Sequence, residues 1–407
     1  MNKPIATLDE TSEPAGVFRK ILDFAGYCLY WAGYWTEHLL VLELEIARRA
    51  LRLADPRVHS EAKRIKSIEE GRLSKQTGKF FILVLFPGAT LPGFTRSLIA
   101  ALKASPFNLV VVLNASLPAA TREELRDACC LMIERENVGS DFGGYKDAIS
   151  VVSKRFGEPE RLVIANDSVF YFRDGLDKLI ADLDGPQDFI GVSEVFDHHY
   201  HVASFLISFG PSIVRSEAFR NFWAGFRPLG TRRWNIFHGE GALTENLVAA
   251  GFRPHILFRA EPLRPHVRAR NRAELDAALA MLPTRHRDKV IKHMRREFAP
   301  DHLAAIRAGT TQFDAALSDR IADAIVDQIM QRNQMHAAGF LFRKNFNLPV
   351  IKRDIFYREI YPLDEIAAKF SDLDPVTKEE VMADLQRRGT AANLGFLRKF
   401  LYRHSAI

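Results

Sequence analysis

The sequence predicts an α/β protein built on a wound, mostly parallel sheet, with helical segments before and after it. Three observations lead there. Between Lys79 and Phe258 short apolar strands alternate with stretches of helical periodicity. Several of those strands, KFFILVLF and FNLVVVLNAS among them, hold unbroken apolar runs, Phe80–Phe86 and Leu109–Leu113, as strands covered on both faces do. Beyond Arg264 the strand patterns stop and helical periodicity takes over. Strand–helix alternation of this kind implies right-handed crossovers and a single wound sheet.

Taken in order, residues 1–15 are polar and expected to be disordered, and 17–70 read as one or two helices. The charged run AKRIKSIEEGRLSK (62–75) reads as a linker. KFFILVLF (79–86), FNLVVVLNAS (107–116), LMIERE (131–136) and RLVIAND (161–167) read as strands. Between them lie LPGFTRSLIAALKA, TREELRDAC and DFGGYKDAISVVSKRF as helices, with Thr121 and Glu124 forming a capping box. DFIGVSE and HVASFLISF are further strands, SEAFRNFWAGF and EGALTENLVAAG helices, and FRPHILF closes the sheet. The expected organisation is a helical arm (1–75), a sheet domain (76–265) and a helical region (266–407).

Composition bounds the class. With 47% apolar and 26% charged residues, the 407-residue chain can bury a substantial core. The formal charge of +6 suits anionic substrates or surfaces without choosing among them. Cys28 and the adjacent Cys129-Cys130 give neither a disulfide framework nor metal spacing, which points to a reducing cytoplasm. The first residues lack the apolar stretch of a signal peptide. Phe24–Thr36 is uncharged but spans only 13 residues, short of the roughly 20 that cross a bilayer. Within it Tyr27, Tyr30, Trp31, Tyr34 and Trp35 fall on one helical face. That face packs on the protein itself or lies in a membrane interface, the second reading giving a peripheral contact with the cytoplasmic face of the inner membrane. NLGFLRKFLYRHSAI (393–407), with Phe396, Leu397, Phe400 and Leu401 among basic residues, is a second candidate contact. No nucleic-acid-binding motif is present, and no nucleic-acid partner is expected.

The chemistry concentrates in 134–170. The strand RLVIA ends in Asn166-Asp167-Ser168, placing a carboxylate between two neutral polar groups at the sheet edge where open α/β sheets bind ligands. Such a set suits a hard divalent cation shared with a diphosphate. Read alone, the same residues describe an Asx-type turn capping the next helix. Some 25 residues earlier runs the turn Asn137-Val138-Gly139-Ser140-Asp141-Phe142-Gly143-Gly144-Tyr145. Its glycines allow tight turning and close backbone approach. Asn137 and Asp141 can accept from ribose hydroxyls or base N–H groups, and Tyr145 can stack. The spacing is neither the dinucleotide G-x-G-x-x-G nor a P-loop. On a strand His199 and His201 share a face that His198 does not, so the three do not form a zinc site.

The ordered combination of N-V-G-x-D-F-G-G-Y-K and N-D-S resembles the rhamnan synthesis F family of bacterial polysaccharide proteins, from about Phe80 to Phe258. A weaker likeness resumes at GFLFRKNFNLPVIKRDIF (339–356). That family is similar to inverting nucleotide-sugar transferases of the GT-A type, notably rhamnosyltransferases. The resemblance implies a GT-A-like, Rossmann-like sheet and a deoxyhexose such as rhamnose moving from a nucleotide-diphosphate donor to a cell-surface polysaccharide or lipid-linked glycan. It also implies the roles. Asp167 would hold Mg²⁺ or Mn²⁺. Asn137, Gly139, Asp141, Gly143, Gly144, Tyr145, Asn166, Ser168 and His201 would line the donor site. Glu240, on the family's E-D-x-D-L motif, would be the general base. The motif's following Asp is Gly241 here, and the Tyr of its H-x-x-S-Y-F segment is Phe205. Base function would then fall to Glu240, with Glu194 and Asp197 in reserve. Arginines of 253–272 either meet the diphosphate or form a solvated face. The alternative function is a catalytically inactive GT-A-like protein that binds glycan or partners in a synthesis complex.

Overall fold

The computed structural model describes residues 17–86, 88, 90–197, 199–309, 312–395, 398–399 and 402. Its strands are β1 (Ile65–Glu70), β2 (Lys79–Leu85), β3 (Asn108–Leu113), β4 (Leu131–Arg135), β5 (Arg161–Asn166), β6 (Val169–Tyr171), β7 (Phe189–Gly191), β8 (Glu194–Val195), β9 (His201–Val202), β10 (Leu206–Phe209), β11 (His255–Ile256) and β12 (Val350–Lys352). Eight of them form one sheet in the order β1-β4-β3-β2-β5-β10-β7-β11. β2, β3, β4 and β5 run parallel, and β10 lies antiparallel between β5 and β7. This is the wound, mostly parallel α/β class that the sequence predicts.

The apolar runs of β2 (Phe80–Leu85) and β3 (Leu109–Leu113) are fully buried, because helices cover both faces. The Gly93–Ala104 helix packs on one face through Leu98, Ile99 and Leu102. The Ser140–Phe156 helix covers the other with Tyr145, Ala148 and Val152. Chain order runs outward from β2 to β3 and β4 on one side and from β5 on the other, so the sheet's switch point lies between the carboxyl ends of β2 and β5.

Several boundaries differ from the sequence reading. The stretch read as a linker contains β1, an antiparallel edge strand on β4. Its alternating half-buried and exposed residues carry Lys66, Glu69 and Glu70, the charges that blunt sheet edges and mimic a linker. The helix read from Thr121 begins at Ala119 after Pro118, two residues earlier, so the capping box does not form; Glu124 pairs with Arg96 instead. The segment beyond residue 266 is not purely helical: β12 pairs with β6. Its helices are not a separate body either, since Ile321, Ile325 and Leu341 share one core with Leu83, Val111 and Val163.

The first helix, Val17–Leu53, touches the rest of the protein near its end, where Thr231 donates to buried Glu45 and Arg49 lies over the Trp234 ring. Trp31, Trp35, Leu39, Leu42 and Ile46 are exposed on it. The side chains of Tyr27, Tyr30 and Tyr34 fall outside the described residues, as do Phe396, Leu397, Phe400 and Leu401. No described helix is long and apolar enough to cross a membrane.

Candidate functional site

The site forms where β5 ends. Asn166 turns the chain: its Oδ1 accepts from the Ser168 amide at 3.0 Å, while its Nδ2 donates to Asp141 Oδ2 at 2.9 Å. The Asx turn and the link to the glycine-rich turn are therefore the same side chain. Asp141 opens the Ser140–Phe156 helix, whose start is set by Gly139 at φ +83°. A Cβ there would lie 2.2 Å from Pro228, so only glycine fits.

Behind this turn lies a buried ionic network. Arg135 donates to Asp147 Oδ2, Asn114 Oδ1 and the Val138 carbonyl, and Arg64 grips the same Asp147 carboxylate. Arg64, Arg135 and Asp147 are almost wholly inaccessible. The network ties the chain before β1, the end of β4 and the turn at Val138 to one helix, fixing where Asp141 points.

Asp167 sits at the switch point. The Phe86 amide at the end of β2 donates to its Oδ2 at 3.1 Å, and Arg353 approaches the same oxygen at 3.7 Å while donating to the Asp167 carbonyl at 2.7 Å. Burial raises its carboxyl above the usual range, opposed by Arg353 and the Phe86 amide. Burial, then the neighbouring charge of Asp167, pushes Asp141 up to about 7, with Lys352 acting against and Glu240 adding to the rise.

Glu240 lies close enough for its charge to act on Asp141. It lies in a π-helical turn, Asn235–Gly241, that leads into the Ala242–Ala249 helix; wide turns of this kind re-aim side chains and often mark functional sites. Its Oε2 is 3.2 Å from His201 Nε2, and His201 Nδ1 is 3.1 Å from the His199 carbonyl. Both ring nitrogens thus face oxygen acceptors, which fixes the ring. Burial works to raise the Glu240 carboxyl, but the hydrogen bond and charge of His201, with help from Lys352 and Ser204, hold it below the usual range. A Cβ at Gly241 would lie 1.9 Å from His199 Nε2, so the imidazole fills the space a side chain at 241 would need.

Asp141, Asn166, Asp167, Ser168, His201 and Glu240 are therefore brought together from distant parts of the chain. The other residues of the turn are not. Tyr145 is fully buried, edge-on to Phe142 and donating to the Ser204 carbonyl, so it presents no face to stack on a ligand. Gly143 and Gly144 seat the helix on Val138, Arg135 and Val84; their closeness serves packing. Gly139 shapes the turn, and Asn137 is exposed. Glu194 is engaged by Gln334 and Arg259, and Asp197 lies in the field of His286 and Lys289. Arginines 259, 264, 268, 270 and 272 pair with surface acids. His198 falls outside the described residues.

Lys352 and Arg353 belong to the site and were not singled out in the sequence. Lys352 ends β12 and Arg353 follows it, and the three residues of that strand give no strand signal of their own. Arg353 also binds Asp384 on the Pro375–Arg388 helix, and with Asp167 it lines a cavity of about 640 Å³ walled by Phe86, Phe94, Asp384, Arg387 and Arg388.

Among the described residues no three His, Cys, Asp or Glu side chains are grouped to hold a metal by themselves. A divalent cation here would draw on one or two carboxylates and on ligand phosphates, the habit of Mg²⁺. Asp141 and Asp167 fit that requirement: they are hard oxygen donors, and the charge of Asp167 raises the cost of ionising Asp141.

The model of the rhamnan synthesis protein F family matches residues 109–372, well over half of the chain. The protein belongs to that family. Asp141, Asn166, Asp167, Ser168, His201, Glu240, Lys352 and Arg353 all fall within the matched span of this rhamnan synthesis protein F member. A protein of Sinorhizobium fredii, y4gN, is 29% identical over 220 residues, 53% of this chain and 56% of that protein. Virulence protein VirA of Vibrio anguillarum is 34% identical over 102 residues, 25% of this chain and 32% of VirA. The chain thus spans little more than half the length of the first relative and about a third of the second. A protein of Desulfovibrio desulfuricans assigned as a nucleotide-diphospho-sugar transferase aligns with 45% of this chain and 80% of its own at 14% identity and a TM-score of 0.27, a likeness on which nothing below rests.

Proposed function

We propose that this rhamnan synthesis protein F member is an inverting glycosyltransferase that moves a deoxyhexose such as rhamnose from a nucleotide-diphosphate donor to a polysaccharide or lipid-linked glycan. One observation carries the reading: Asp141, Asp167 and the Glu240–His201 pair meet at the switch point of a wound sheet, where such sheets bind nucleotides.

The cavity bounded by Phe86, Asp167 and Arg353, of the usual volume for such ligands, takes the nucleoside end of the donor, and the diphosphate passes Asp167 toward the Glu240 side of the Asn166–Ser168 turn. Asp141 and Asp167 would hold Mg²⁺ or Mn²⁺, which when bound neutralises charge on the leaving diphosphate. Asn166 and Ser168 orient the sugar. Glu240, kept ionised by His201, takes the proton of the acceptor hydroxyl. The hydroxyl oxygen bonds to the anomeric carbon as the bond to the diphosphate oxygen breaks on the opposite face, and the nucleoside diphosphate departs with the bonding pair. A positioned base of this kind contributes about 10²–10⁴-fold. The exposed apolar stripe of the first helix, Trp31 to Ile46, supplies a peripheral contact with the cytoplasmic face of a membrane.

A second reading has support in Gly241, where the family motif carries a second acid and the His199 ring takes its place: a catalytically inactive glycan- or partner-binding component. A thermal-shift screen of nucleotide sugars with and without Mn²⁺ separates the two, when followed by transfer assays. A metal-dependent rise for one donor, lost in Asp167→Asn and kept in Glu240→Gln, supports the enzyme. Donor binding without turnover favours the inactive component, and no shift with any nucleotide sugar refutes donor binding.

A further inference from the structure

We propose that Lys352 is a phosphate-binding residue of this site, its ammonium placed beside Ser168 to contact the diphosphate of the activated sugar. The inference rests on the donor-binding reading above and extends it to a segment outside the wound sheet.

The placement is built by backbone pairing. β12 runs antiparallel to β6 with Lys352 opposite Val169, and the Arg353 amide donates to the Ser168 carbonyl at 3.0 Å. Successive side chains then diverge, as they do on a strand: Arg353 goes to Asp167 and Asp384, and Lys352 to the other side of the Asn166–Ser168 turn. There Lys352 Nζ lies 3.3 Å from Ser168 Oγ and 4.5 Å from the centre of the Phe205 ring. Asp141, Glu240 and Asp354 all sense its charge. Yet among the described residues no carboxylate comes within the 4.0 Å of an ion pair.

An ammonium with three donors, one of them on a long hydrogen bond to a hydroxyl, has capacity left for anionic oxygens. Its surroundings hold it in place: the Phe205 face supports a cation. The chemistry favours phosphate, since lysine binds phosphate as a point charge without needing the paired geometry of a carboxylate. Arg353 is turned away from this position, each of its three nitrogens already donating to Asp384 or to the Asp167 carbonyl.

Titration calorimetry in Mn²⁺ of the full chain with a panel of nucleoside diphosphates (UDP, dTDP and GDP) and with the matching uncharged nucleosides tests this. For whichever diphosphate binds, Lys352→Ala is expected to weaken binding about 10- to 100-fold, Lys352→Arg to recover part of it, and nucleoside binding to stay unchanged. Lys352→Gln, of similar length, replaces the alanine variant if that chain is poorly folded. Diphosphate affinity within threefold of wild type in the neutral variants overturns the role of Lys352 and leaves the donor site standing. Failure of the wild type to bind any nucleoside diphosphate overturns both.

Discussion

His201 Nε2 lies 3.2 Å from Glu240 Oε2, joining β9 to the π-helical turn across the mouth of the site. The pair gives Glu240 the two properties a base needs: a fixed direction and a charge retained in a half-buried place. Glu240→Gln should therefore lower transfer about 10²–10⁴-fold while leaving donor binding near wild type. Single-turnover rates and donor titrations measure the two separately.

His201→Asn should act through pH. The folded carboxyl of Glu240 is held below its usual range by His201, so the acid limb of kcat/KM lies at lower pH than for an unassisted glutamate. Without the imidazole, that limb should move up. An unmoved limb would mean that His201 does not hold the Glu240 charge.

Gly241→Ala should destabilise the protein by about 1–3 kcal/mol, the range for overpacking a filled site. The added Cβ meets the His199 ring, which must shift toward Phe237, its stacking neighbour. A fall in the thermal midpoint is expected, and an unchanged midpoint would show that the ring moves at no cost.

Much of this arrangement could be read from residue patterns, and the limits have physical causes. The buried strands announce themselves because both faces are apolar, and Asn166-Asp167-Ser168 because polar groups interrupt such a strand. β1 hides because an edge strand carries charges, and β12 because three residues cannot establish a period. Tyr145 misleads because an aromatic after two glycines looks the same whether it faces a ligand or a core. The Arg64–Asp147–Arg135 network is invisible in sequence, its members being up to 83 residues apart.

That network makes its own prediction. Asp147→Asn leaves two buried guanidinium groups without their shared counter-charge, a loss of about 3–5 kcal/mol. The urea midpoint should fall accordingly. It also sets where the first helix can be removed. Deleting residues 1–70 takes away Arg64 and β1 and should unfold the sheet edge, whereas deletion through Leu53 should leave donor binding intact and abolish co-sedimentation with anionic vesicles.

Asp384 contributes acid sensitivity. Burial works against its charge, but Arg353, Arg388 and Arg387 hold its carboxyl down at about 2. A folded value below the unfolded one means stability that is fully present above the unfolded range, near pH 4, and lost as pH falls toward 2. Between those limits the urea midpoint of wild type should drop more steeply than that of Asp384→Asn.

The most direct test of the central claim is a crystal structure of the full chain soaked with Mn²⁺ and the nucleoside diphosphate that binds best. Diphosphate density is expected between the ends of β2 and β5, within contact of Asp167 and on the Glu240 side of the Asn166 turn. A nucleotide bound elsewhere on the protein, with this crevice filled only by solvent, would contradict it.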